Sequence, residues 1–254
     1  MTQANFIRLD KISSSYFIKA ETLFRTFLFM HEAAKHINNE ATPNIKKAWE
    51  NLDKTLKKNP SFSQKNNNHH QDAINNYIPT LCFSTLVSAF EDYITEIAGL
   101  MLALKPEKLD KVKLEYKTYK SLSSDELLDH LIAEAITSIT FSSANEYINK
   151  ICKLTEINKK DNESLIKAFI EIKARRDTGV HNNWVKDKRY EQKLSEINTP
   201  SPKEKILTPN LSYFTHAYDT CGDLVKIISN NISTNILKEK EILPTIQKKQ
   251  IIHS

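Results

Sequence analysis

The stretch Ala174-Arg175-Arg176-Asp177-Thr178-Gly179-Val180-His181-Asn182-Asn183-Trp184 holds side chains suited to phosphate binding and proton transfer. A guanidinium is a permanently charged planar fork that matches a phosphate, and an imidazole titrates near neutrality and can move protons. Arginine is scarce, occurring only at Arg8, Arg25, Arg175, Arg176 and Arg189 among many lysines, so a tandem pair stands out. On a straight helix Arg176 and His181 point about 140° apart. Gly179 is expected to end or kink the helix between them, and Asp177, Asn182 and Asn183 are natural capping residues for that break. With the break, guanidinium and imidazole converge on one point.

A second pair has the same spacing. Arg25 and His31 enclose Thr26-Phe27-Leu28-Phe29-Met30, an apolar spacer with nothing to interrupt a helix. That pair reads as a helix face with a structural role. Of the remaining polar candidates, Arg175 is either a second phosphate contact or a solvated neighbour, and Asn182 either binds a phosphate or caps the helix. Glu91 either pairs with Arg176 and orients it or faces solvent or a second subunit. His69-His70 can bind metal only with a third ligand, and none is suitably spaced, so a solvated loop is the reading. His130 and His216 read as structural. The lysines between Lys111 and Lys120 either track a nucleic-acid backbone or form a solvated face.

The order Arg176-Asp177-x-x-Val180-His181-Asn182 resembles the Arg-x(4–6)-His motif of HEPN domains. The segment Leu86-Val87-Ser88-Ala89-Phe90-Glu91-Asp92-Tyr93-Ile94 is similar to their early helix, where an acidic residue often joins the site. The resemblance spans Ala73 to about Ile236 and leaves residues 1–58 unexplained. Trp184 departs from it, standing where such relatives often have glycine. The resemblance implies an all-α bundle, a homodimer with two motifs lining one cleft, and a metal-independent ribonuclease without cofactor. It implies Arg176 and His181 as catalytic residues, supported by Asn182, Asp177, Arg175 and Glu91. It also places the chain among toxins or effectors of anti-phage defence, with RNA as substrate and an antitoxin or defence protein as partner.

The elements that must position these residues are helical. Phe17, Ala20, Phe24, Phe27, Leu28 and His31 recur at three- and four-residue spacing, predicting a helix from about Ser15 to Asn38. Thr42-Pro43 opens a lysine-rich helix ending near Lys58. Residues 59–72 are polar and aperiodic, a loop between a helical N-terminal extension (1–58) and the main domain (73–238). Ala73 to Leu104 is apolar on most sides, as expected of a helix central to a bundle or covered by a second subunit. Ser123 and Glu126 have capping-box spacing before a helix with Leu127, Leu128, Leu131, Ile132, Ala135, Ile136 and Ile139 on its core face. Further helices are expected around Glu146 to Leu154, from Asn162 to the Arg pair, and from Leu211 to Ile232. A charged tail occupies 239–254.

Composition agrees. The 254 residues include only Gly99, Gly179 and Gly222 as glycines, too few for the turns and phosphate loops of sandwiches, barrels and Rossmann sheets. The fold class is therefore all-α, a HEPN-like helical bundle with a helical N-terminal extension. A net charge of +5 and a pI of 8.9 permit a nucleic-acid partner without requiring one. Cys82, Cys152 and Cys221 are unpaired in spacing and read as buried thiols of a reducing cytoplasm. No run is apolar enough to span a bilayer, so no membrane partner is expected. Two functions follow: a dimeric endoribonuclease, or a non-catalytic helical module binding a nucleotide or a partner protein.

Overall fold

The computed structural model describes residues 2–40, 51, 77–109, 112–113 and 116–237. The described residues form eight α-helices: α1 (Thr2–Glu40), α2 (Ile78–Leu104), α3 (Tyr116–Ser121), α4 (Ser124–Thr140), α5 (Ala144–Thr155), α6 (Glu163–Asn182), α7 (Lys188–Glu196) and α8 (Leu211–Asn231). A 3-10 turn, Pro106–Leu109, follows α2, and a π-helical turn, Ile232–Ile236, continues α8. No strand occurs among the described residues, only an isolated bridge between Val185 and Ile206. The fold class is all-α.

Helix α2 is the axis. Phe83, Leu86, Val87, Phe90, Ile94, Ile97 and Met101 are fully buried along it. Each such side chain stabilises the fold by about 1.5–3 kcal/mol through apolar area removed from water. The helix packs against α1, α4, α5, α6 and α8 of its own chain. Its apolar faces are thus largely covered from within, leaving Leu81 in its first turns as the large exposed exception.

Helix α1 starts at Thr2, well before the expected Ser15. Phe6, Leu9 and Ile12 extend the same buried stripe towards the N-terminus and join Tyr16, Ala20 and Phe27 in the core shared with α2. This helix is thus built into the bundle. Phe27 stacks on Phe214 of α8 with ring centres 4.5 Å apart, and Ser13 Oγ lies 2.8 Å from Ser229 Oγ.

The expected capping box at Ser123 and Glu126 forms at the start of α4, and Ser143 and Glu146 repeat it on α5. Helix α4 differs from expectation in its burial. Leu128, Leu131, Ile132, Ala135, Ile136 and Ile139 pack on the core but are only partly covered. It is the outer wall of the bundle. Helix α7 was not apparent in the sequence because only Tyr190 and Leu194 of its nine residues are buried. Those two form a small second core with Ala174 and Leu207. The helix expected over Thr42–Lys58, the 59–72 loop with His69-His70, and the 239–254 tail lie outside the described residues.

Candidate functional site

Helix α6 carries the motif on two differently used faces. On one, Arg176 and Lys173, one turn apart, both reach α2. Lys173 Nζ donates to one oxygen of Glu91 and Arg176 Nη2 to the other. Of the readings open for Glu91, the structure holds the one in which it pairs with Arg176. The Arg176 side chain is 17% exposed and also faces Asp177 at 3.4 Å, so it is an anchored charge rather than a waving one. Lys193 of α7 holds the other oxygen of Asp177 at 3.1 Å.

Tyr147 of α5 completes this corner. Lys173 Nζ lies 5.5 Å from its ring centre. Its hydroxyl and Arg176 Nε are both buried without a hydrogen-bond partner. Burial, with the Glu91 carboxylate adding to it and Arg176 opposing, holds the Tyr147 phenol well above its ordinary pKa.

The neighbouring face of α6 buries a second charged group. Glu171 accepts from Arg175 Nε at 2.9 Å, from Tyr190 Oη at 2.5 Å and from Tyr213 Oη. The Arg175 guanidinium stacks on the Tyr213 ring, 3.8 Å from its centre. Arg175 is therefore neither solvated nor presented to a ligand; it is locked between α6, α7 and α8.

The expected break at Gly179 is absent. Helix α6 runs unbroken from Glu163 to Asn182. No glycine adopts positive φ; the chain turns instead at Asn183 (φ 49°) and Trp184 (φ 64°). The Asn183 amide donates back to the Thr178 carbonyl, and Asn182 Nδ2 donates to the Val185 carbonyl at 2.7 Å. Asn182 and Asn183 thus act as helix-end residues, whereas Asp177 lies within the helix. Gly179 serves another purpose. A Cβ there would lie 2.5 Å from the Trp184 ring, so the missing side chain makes room for the indole. Trp184 in turn packs on Phe83 of α2, with ring centres 5.8 Å apart.

Because the helix continues, Arg176 and His181 leave it about 140° apart and about 7.5 Å apart along its axis. Arg176 points into the bundle towards Glu91, whereas His181 is exposed in the last turn beside Val180. The local backbone does not bring them together.

Elsewhere, Arg25 pairs with Glu21 on the surface of α1 at 2.5 Å, and the side chain of His31 lies outside the described residues. Among the lysines from Lys111 to Lys120, the described side chains are Lys113 and Lys120. The thiols of Cys82, Cys152 and Cys221 are free and buried. Among the described residues no cluster of three or more His, Cys, Asp or Glu side chains is placed to hold a metal. No helix of the described residues is long and apolar enough to cross a membrane.

Lys173, Glu171, Tyr147, Tyr190, Lys193 and Tyr213 escaped the sequence reading. Lys173 had a signal, since Lys-x-x-Arg places two cations on one helix face that otherwise carries Phe169 and Ile170. Tyr213 had none, because its link to Glu171 depends on how α8 packs. Comparison with protein-family models, with curated proteins and with solved structures finds no match.

Proposed function

We propose that this chain is an endoribonuclease of the HEPN type, acting as a toxin or effector in bacterial anti-phage defence, with a site shared between two copies. The observation that carries the reading is the pairing of Arg176 with Glu91 on α2, with His181 exposed near the end of the same helix. An unbroken α6 that sends Arg176 inward and His181 outward counts against a catalytic pair within one copy, so this reading stands only if a second copy completes the cleft. The end of α6 and the start of α2 are joined through Trp184 and Phe83. Each carries one exposed apolar side chain, Val180 at 58% and Leu81 at 67%, and this reading places the contact with a second subunit there.

In this reading an imidazole of His181 takes the proton from a ribose 2′-hydroxyl, whose oxygen attacks the adjacent phosphorus. Arg176 holds the phosphate as negative charge develops. The bond from phosphorus to the 5′-oxygen breaks, and the second copy's imidazole supplies that oxygen's proton. The products are a 2′,3′-cyclic phosphate and a 5′-hydroxyl.

The unbroken helix also favours the rival reading, a non-catalytic module in which Arg176 is neutralised by Glu91 for structural reasons. The two separate in one experiment. His181→Ala removes an exposed side chain and is expected to change stability by no more than about 0.5 kcal/mol. It should nevertheless abolish both RNA cleavage in EDTA and growth arrest on expression. Arg25→Ala should leave cleavage per folded molecule intact. A strictly monomeric protein, a 5′-phosphate product, or wild type that leaves RNA whole would exclude the ribonuclease reading.

A further inference from the structure

Lys173 is 8% exposed, and a lysine so covered needs a partner for its charge. It finds one in Glu91 of α2, whose two oxygens are divided. Lys173 Nζ donates to Oε1 and Arg176 Nη2 to Oε2. The two cations stand one turn apart on α6, where like charges repel, and the carboxylate between them offsets that repulsion. The Tyr147 ring lies on the ammonium's other side, 5.5 Å from it. Burying an ammonium with a carboxylate carries a desolvation cost that apolar side chains of similar size avoid, so stability alone does not account for a lysine here.

The adjacent arginine shows the contrast. Arg175 has the Glu171 carboxylate as its ion-pair partner, and the other donors to Glu171 are the uncharged phenols of Tyr190 and Tyr213. Arg176 shares its carboxylate with a second cation. With Oε1 held by Lys173, Glu91 cannot turn both oxygens onto the guanidinium as a fork-to-fork pair. We infer that Lys173 is a positioning residue for Arg176. It fixes the Glu91 carboxylate, and through it the guanidinium, in one orientation that leaves donors and positive charge for a phosphate. Lys173 is too covered to reach substrate itself. Its effect on cleavage rests on the ribonuclease reading; its hold on Arg176 does not.

The test uses full-length protein labelled with 15N-arginine, whose five arginines give a simple Nε–H spectrum. Arg176→Lys identifies the Arg176 signal by its loss. Lys173→Met should speed hydrogen exchange at Arg176 Nε by at least about tenfold and leave Arg175 Nε, held by Glu171, as in wild type. Lys173→Arg should restore slow exchange. Lys173→Gln, shorter and uncharged, should behave as Lys173→Met and replaces it if that protein does not fold. In RNA cleavage per folded molecule, Lys173→Met should lower kcat at least about tenfold with KM changed by less than about twofold, and Lys173→Arg should recover kcat. Unchanged exchange at Arg176 overturns the inference. Equal acceleration at Arg175 does so too, because it marks a general loosening of α6. Faster exchange with unaltered cleavage removes Lys173 from the reaction. If wild type leaves RNA whole while exchange responds as expected, the ribonuclease reading fails and the hold of Lys173 on Arg176 stands.

Discussion

Gly179 shows how one residue can be read for the wrong one of its two properties. Glycine offers either backbone freedom or the absence of a side chain, and only the structure tells which is in use. Here the φ is ordinary and the indole of Trp184 occupies the space of a Cβ. Whether the space above a helical glycine is open or filled sets the sign for Gly179→Ala. A helical glycine with open space around it gains about 1 kcal/mol when changed to alanine. The Trp184 contact instead predicts a loss of about 1–3 kcal/mol from overpacking, visible in urea denaturation. Gly179→Ala/Trp184→Leu should recover part of it, because the shorter side chain vacates the position. A stabilised Gly179→Ala protein would show that the indole does not hold that space. The sequence marked this segment as a candidate for chemistry; it could not show that Trp184, five residues on, folds back over the glycine.

At the scale of elements, much of the bundle was legible because its signals are local. The apolar run of α2 and the capping box before α4 are each set by residues a few positions apart. Helix α7 was illegible because its two buried residues are packed by another element rather than by a periodic face of their own. Glu171 joins three helices in the same non-local way, holding Arg175 of its own helix, Tyr190 of α7 and Tyr213 of α8. Its side chain and that of Arg175 are 13% and 12% exposed, so the pair is protected from water. Glu171→Ala strands a buried guanidinium and two phenols, and should cost about 3–5 kcal/mol. Glu171→Gln keeps an acceptor for one hydroxyl and should cost less. Equal midpoints for both variants and wild type in chemical denaturation would show that α7 and α8 are held by apolar contacts alone.

For the molecule as a whole, the core is rich in acids that must stay protonated. Burial is the first cause of the raised pKa values of Tyr16, Tyr147 and Tyr213, and also of those of Tyr93 and Tyr190. The Cys82, Cys152 and Cys221 thiols are pushed up by burial as well. In each case the folded pKa exceeds the unfolded one, so the folded state holds more protons above the unfolded value. The stability is fully present below that value and is lost as pH rises. The melting temperature should therefore begin to fall near the ordinary thiol range, about pH 8.5, and fall more steeply beyond about pH 10, where unfolded tyrosine ionises. Tyr213→Phe should lower stability at neutral pH but flatten the alkaline limb. A melting temperature unchanged into the tyrosine range would contradict the burial of these phenols.

The pairing of α1 with α8 carries a consequence for the order in which the chain is made. Phe27 rests on Phe214, and Ser13 meets Ser229, so the first described helix is sealed by the last. A ribosome adding about 5–20 residues per second makes α1 first and must translate well over a hundred further codons before its partner emerges. Throughout that interval the stripe from Phe6 to Phe27 has no α8 to cover it. A nascent chain stopped before Leu211 therefore leaves the part of that stripe facing α8 open to chaperones and proteases, although α2 already packs on the same helix.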